Sequence, residues 1–186
     1  MKRRHFLFAP FLIFPIGAFA RLKNLIRQKK GIKVAAGEDR FNREIKFAGG
    51  NPMNLKVSGK DTDGDLCIFE GERGENDPKG GPPLHVHHEQ DEIFYIVEGR
   101  FRFQVGDEKF ELNAGDNLFA PRKVPHTFIN IGNMKSKVLT IFQPAGQMEA
   151  YFQELGKFSG RPSSEQLQKL FRDHGMEIVG PRLAIE

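Results

Sequence analysis

Past residue 40 the chain is a succession of short apolar–polar alternations cut by turn residues. Side chains in a strand point to opposite faces in turn, so alternation at period two predicts half-buried strands. The runs so marked are Arg43–Phe47, Leu55–Gly59, Asp65–Gly71, Leu84–His88, Ile93–Glu98, Phe101–Val105, Lys109–Leu112, Asn117–Ala120, Thr127–Ile131 and Val138–Gln143. Asp63-Gly64, Glu98-Gly99, Gly106-Asp107 and Gly115-Asp116 punctuate them as tight turns. Short strands with frequent turns and no helix between them predict an all-β barrel or sandwich. Gly71–Pro83 is polar and rich in Gly and Pro, and reads as a long loop.

Near the C-terminus the period lengthens. Met148, Tyr151, Phe152 and Leu155 recur at helical spacing. A second helix is expected over 164–174, with Ser163 and Gln166 as a capping box, Leu167, Leu170 and Phe171 on one face, and Gly175 as its stop. These helices are expected to pack on the outside of the barrel or on a partner chain. No internal repeat is visible, so one barrel is expected.

Charge is unevenly placed. Of 28 Lys and Arg, nine precede residue 35, whereas all 24 Asp and Glu follow it, which leaves the remainder at net −5. A mildly acidic globular part gives no ground to expect nucleic-acid binding. Residues 1–20 pair a basic start with an apolar run ending Ala18-Phe19-Ala20, the pattern of a secretory signal, and an exported, periplasmic or envelope location follows. Arg3-Arg4-His5-Phe6-Leu7 resembles the twin-arginine export pattern but lacks the usual Ser or Thr before the arginines, so both export routes stay open. Residues 21–40 read as a basic linker, and only this N-terminal segment is expected to meet a membrane. The single cysteine, Cys67, lies in the apolar run Leu66–Phe69 and reads as a buried hydrophobe.

Four of the six histidines fall between residues 85 and 126. His85 and His87 are two apart and share a strand face. Glu92 lies at an odd offset from His87, which a turn through His88–Asp91 corrects by letting Glu92 start the next strand facing the same interior. His126 opens another strand after Pro125. Three imidazoles and a carboxylate suit one divalent transition metal (Fe, Mn, Ni, Co or Zn) and leave two positions of an octahedral ion open. His88 is expected at the surface, and Glu89 and Asp91 as solvated turn residues. Asp61, Asp63 and Asp65 superficially resemble a calcium loop, but Leu66 occupies the position that needs glycine. Phe94, Phe101, Phe103, Phe119 and Phe128 are expected mostly in the core.

The run His85-x-His87-x4-Glu92-x6-Gly99, followed by Gly115-x5-Pro121 and His126-x3-Asn130, resembles the two motifs of the cupin superfamily. PPLHVHHEQDEIFYIVEG, APRKVPHTFIN and HGMEIVGP resemble the quercetin 2,3-dioxygenase-like branch, over roughly residues 45–182. Two departures stand out: Gly80 is offset by one before His85, and Lys123 replaces a usual glycine in the turn ahead of His126. The resemblance implies an all-β cupin barrel (a double-stranded β-helix, or jelly roll) over 41–145, with C-terminal helices over 146–186. It implies metal ligands His85, His87, Glu92 and His126, and a dioxygenase acting on a small phenolic or enol substrate with dioxygen, Glu92 serving also as catalytic base. The same barrel hosts non-catalytic metal- or ligand-binding proteins and isomerases, and these alternatives stay open. A homodimer is a further expectation from the family.

Overall fold

The computed structural model describes residues 28–46, 51–74 and 80–184. The expected signal peptide at 1–20 and the first part of the linker lie outside the described residues. Among the described residues, ten strands and two helices follow in chain order: β1 (Met53–Val57), β2 (Cys67–Arg73), β3 (His85–His87), β4 (Asp91–Glu98), β5 (Arg100–Val105), β6 (Glu108–Asn113), β7 (Asn117–Ala120), β8 (His126–Asn130), β9 (Ser136–Gln143), α1 (Met148–Leu155), α2 (Ser164–Asp173) and β10 (Met176–Ile178). Two antiparallel five-stranded sheets face each other, ordered β1-β2-β9-β4-β7 and β10-β3-β8-β5-β6. This is the all-β jelly-roll barrel with C-terminal helices that the alternation and the resemblance implied.

The inward positions follow the period of two. Glu92, Phe94 and Ile96 of β4 are buried, while the alternate residues Ile93, Tyr95 and Val97 are half-buried or exposed. Ser136, Val138, Thr140 and Phe142 of β9 alternate in the same way. One end of the barrel is filled by Phe94, Ile96, Phe101, Phe103, Leu112, Ala120 and Val138. The Phe94–Phe103 rings sit 4.8 Å apart and tilted, a favoured aromatic geometry. Phe128 is partly buried against this cluster. Phe119 departs from the expected core: it points outward from β7 and is exposed.

The other end is closed by the helices. Met148, Tyr151, Phe152, Leu170 and Phe171 join Leu55, Cys67, Phe69 and Phe142 in a second cluster. Full burial of such side chains contributes on the order of 1.5–3 kcal/mol each. Phe69 and Phe152 rings meet at 4.6 Å, which ties α1 to β2. Ser163 caps α2: its hydroxyl accepts from Gln166 N at 3.2 Å, and Gln166 Oε1 accepts from Ser163 N at 2.9 Å. Burial drives the Cys67 thiol pKa up, as suits an inert core residue.

Two elements differ from the sequence reading. Arg43–Phe47 is not a strand: its described part makes one isolated bridge, Lys46 with Pro52, and Phe47 lies outside the described residues. Asp39 explains this, because its buried carboxylate accepts from the backbone of Phe41, Arg43 and Leu55 and so holds the segment as a latch against β1. Conversely, Met176–Ile178 forms β10, an unanticipated strand that covers the edge of β3 in the register Met176↔His87 and Ile178↔His85. The loop before the histidines also starts later than expected, because β2 runs on to Arg73.

Candidate metal centre

Every one of the four sequence-marked ligands faces the barrel interior, and all four are buried. His85 and His87 come from β3, with His126 directly opposite His85 on β8. Glu92 comes from β4, which pairs with β7 and β9 in the facing sheet. The bend at 88–90 therefore carries the chain from one sheet across to the other. One donor atom from each of the four residues lies within 4.8 Å of every other.

The hydrogen bonds orient the donors. His85 Nδ1 lies 2.9 Å from Pro83 O, His126 Nδ1 3.1 Å from Val124 O, and His87 Nδ1 3.5 Å from Gln90 Oε1. Each Nδ1 thus has an oxygen to donate to, which leaves Nε2 as the inward atom, the arrangement of metal-ligating imidazoles. Glu92 Oε2 lies 2.8 Å from His126 Nε2 and 3.3 Å from His87 Nε2. An imidazole that faces an oxygen at both nitrogens needs a proton on Nε2, a proton on the carboxyl, or a cation held between the two. The donor set fits a divalent transition metal on this ground.

The electrostatics agree. Burial, reinforced by the neighbouring His126 and His87, pushes His85 down to about 3, so it is a neutral imidazole. Burial alone would raise Glu92, but hydrogen bonds from His126 and His87 outweigh it and hold the carboxyl below its usual range. Burial likewise works against the charged form of His126, and Glu92 overcomes it, so the His126 pKa is raised.

Supporting residues were less legible in the sequence. Gln90 is buried, faces His87 through Oε1 and donates from Nε2 to Ala145 O at 2.9 Å. Asp91, expected as a solvated turn residue, opens β4 and accepts from Arg122 Nε at 3.1 Å, Nη2 at 2.6 Å and backbone N at 2.9 Å. That clasp joins the strand bearing Glu92 to the turn ahead of His126, and Arg122 lowers Asp91 to about 2. Lys123, where the resemblance leads one to expect glycine, takes the left-handed conformation with φ +66° and donates its N–H to His87 O at 2.8 Å. Glu89 and His88 are exposed, His88 with Nε2 3.8 Å from Glu177. His174 is buried at the end of α2, where its Nδ1 meets Leu170 O at 2.8 Å.

A cavity of about 380 Å³ reaches the cluster, with His85, His87 and Glu92 in its lining. Its walls include Phe128, Phe142, Met148, Tyr151, Phe152 and Phe171. The rim at 80–83 is pinned to β8, since Thr127 Oγ1 donates to Pro82 O at 2.8 Å. Gly81 passes so close to β8 that a Cβ there would sit 1.6 Å from Phe128 O, so no other residue fits.

Fold and site together define a double-stranded β-helix barrel with a buried three-His, one-Glu cluster at the floor of an apolar cavity. Residues 74–142 match the family described as "Cupin domain", a span that contains all four cluster residues. The chain carries a cupin domain. An uncharacterized protein of Methanocaldococcus jannaschii is 44% identical over 61 residues, covering 33% of this chain and 49% of that protein. The polyketide synthase CurC of Streptomyces cyaneus is 32% identical over 60 residues, 32% of this chain and 39% of that protein. The matched stretch thus spans about half or less of these relatives. Among solved structures, a predicted oxalate decarboxylase from Thermotoga maritima superposes with a TM-score of 0.51 at 18% identity, over 61% of this chain and 99% of that one. That likeness speaks for the fold alone.

Proposed function

We propose that this cupin is a metal-dependent dioxygenase that acts on a small phenolic or enol substrate, with a divalent transition metal (Fe, Mn, Ni, Co or Zn) held by His85, His87, Glu92 and His126. The observation that carries this reading is the convergence of the four donors within 4.8 Å of one another at the floor of the cavity. A bound metal would supply Lewis acidity toward a substrate hydroxyl and, if redox-active, a path for electrons to dioxygen.

The protein's own groups divide the remaining work. Pro83 O, Val124 O and Gln90 hold the three imidazoles in one tautomer. Both imidazole contacts of Glu92 fall on Oε2, and because Glu92 lines the cavity we assign its Oε1 as acceptor for the proton of a substrate hydroxyl. Phe128, Phe142 and Phe152 exclude water and offer an aromatic substrate flat apolar surfaces. The resemblance of PPLHVHHEQDEIFYIVEG and HGMEIVGP to quercetinases supports the phenolic substrate class. The basic, then apolar first twenty residues support export, and N-terminal sequencing of the mature protein checks it.

Elemental analysis of protein purified from its own host, followed by oxygen-electrode assays across a panel of flavonols and simpler phenols, tests the proposal. It predicts about one metal per chain and oxygen uptake with at least one phenol. Stoichiometric metal without oxygen uptake on any member would return the barrel to the class of binding proteins.

A further inference from the structure

The cavity has two chemically different ends. At the buried end stand His85, His87 and Glu92, and apolar side chains make up much of the remaining wall. Arg73, Arg161 and Arg182 line it as well. They come from three unrelated places: the end of β2, the loop before α2, and the segment after β10. The guanidinium groups of Arg161 and Arg182 carry like charge, and nothing in a jelly roll requires them to meet.

Arg182 shows the imbalance most clearly. It is partly buried, and Nη1 donates to Gly81 O on the cavity rim. No carboxylate pairs with it among the described residues. Burial first, then the charges of Arg161 and Arg73, hold its pKa below the usual guanidinium value. Arg161 is exposed, marks the open end, and makes no ion pair among the described residues. Tyr151 lines the same cavity, and its hydroxyl feels the field of Glu92 and, in the opposite sense, that of Arg182.

We propose that Arg161 and Arg182, with Arg73 beside them, form a carboxylate-binding subsite at the open end of the cavity, so that the substrate is a small organic acid. Its apolar body seats against Phe128, Phe142, Tyr151 and Phe152, and its reactive end reaches the His85–His87–Glu92 floor. This rests on the cluster being the reacting end of the site and names the chemistry of the other end. Guanidinium forks match a carboxylate in two parallel hydrogen bonds, which the ammonium of a lysine does not reproduce. A volume of about 380 Å³ falls at the lower end of the range of small-molecule sites, the size of a one- or two-ring acid.

The test compares acid and ester. The full chain, as purified, is titrated calorimetrically with 4-hydroxycinnamate, which carries a phenol at one end and a carboxylate at the other, and with its methyl ester. The acid should bind about tenfold or more tightly than the ester, a preference that shrinks in high salt. Arg161→Gln combined with Arg182→Gln should reduce the preference to about twofold or less, and Arg182→Lys should restore only part of it. Arg161→Gln alone serves as the folding control, since its side chain is exposed: it should melt with the wild type and still lose several-fold in acid affinity. Equal binding of acid and ester, binding of neither, or a preference that survives the double substitution overturns the subsite; the last result would place the carboxylate on the metal. Oxygen uptake with the ester but no acid preference would sink the subsite and leave the dioxygenase standing. An arginine-dependent acid preference without oxygen uptake would do the reverse.

Discussion

Lys123 sits in the turn that delivers His126, at φ +66°, with its N–H bonded to His87 O at 2.8 Å and its side chain exposed. The left-handed conformation is needed so that the turn can aim that N–H at β3, and a residue with a Cβ pays roughly 1–2 kcal/mol for it. Glycine avoids this cost but loses about 0.5–1 kcal/mol more backbone entropy on folding. Lys123→Gly is therefore expected to stabilise the chain by about 0.5–1 kcal/mol, or roughly 2 °C in melting temperature at this size. Lys123→Pro removes the N–H and forces φ near −65°, so it should cost about 3 kcal/mol or more. Urea unfolding of the chelator-treated protein, followed by circular dichroism, measures both. A Lys123→Gly variant no more stable than wild type would show that the turn does not hold the strained conformation, and with it the proposed linkage between the turn and β3 would fall.

Metal returned to chelator-treated protein at a hundred times its dissociation constant should raise stability by about 2.7 kcal/mol. Scanning calorimetry should show this as a clear rise in melting temperature, absent in His85→Ala and in His126→Ala. Gln90→Leu removes the acceptor facing His87 Nδ1 and should weaken metal binding about 10–100-fold in a competitive chelator titration; an unchanged affinity would separate Gln90 from the site. Asp39 is the pH-sensitive latch: burial opposes its ionisation, but Arg43 and the backbone N–H groups of Phe41, Leu55 and Arg43 win, and its pKa is lowered. Its stabilising contribution is accordingly complete above the usual carboxylate range and fades as pH falls through that range and below it. Asp39→Ala should cost about 3 kcal/mol near neutral pH, with the gap from wild type closing in acid urea melts.

What the sequence revealed, and what it hid, divides along a physical line. Strands such as β4 and β9 were legible because inward Phe94, Ile96, Val138 and Phe142 alternate with outward residues, and that periodicity is local. The cluster was legible for a different reason: histidines and a carboxylate at fixed spacing are chemically rare, so their pattern stands out against the background. Which sheet Glu92 would occupy was not legible, because the offset from His87 demands a bend but does not say where the bend leads. Several misread positions depend on partners elsewhere along the chain. Asp91 looks like a turn residue until Arg122, 31 positions on, clasps it. Arg43–Phe47 alternates like a strand, yet Asp39 commits its backbone to a latch against Leu55. Met176–Ile178 carries too few residues to show any period, and its partner β3 lies nearly half the chain away. Arg182 belongs to this group. Nothing beside it in the sequence distinguishes it from a surface arginine, and the pairing of β10 with β3, continued by Pro181 O accepting from Leu84 N, brings it to Gly81 at the rim of the cavity. Periodicity therefore exposes the scaffold and rare chemistry exposes the metal site, whereas the groups that would choose a substrate emerge only once distant segments have met.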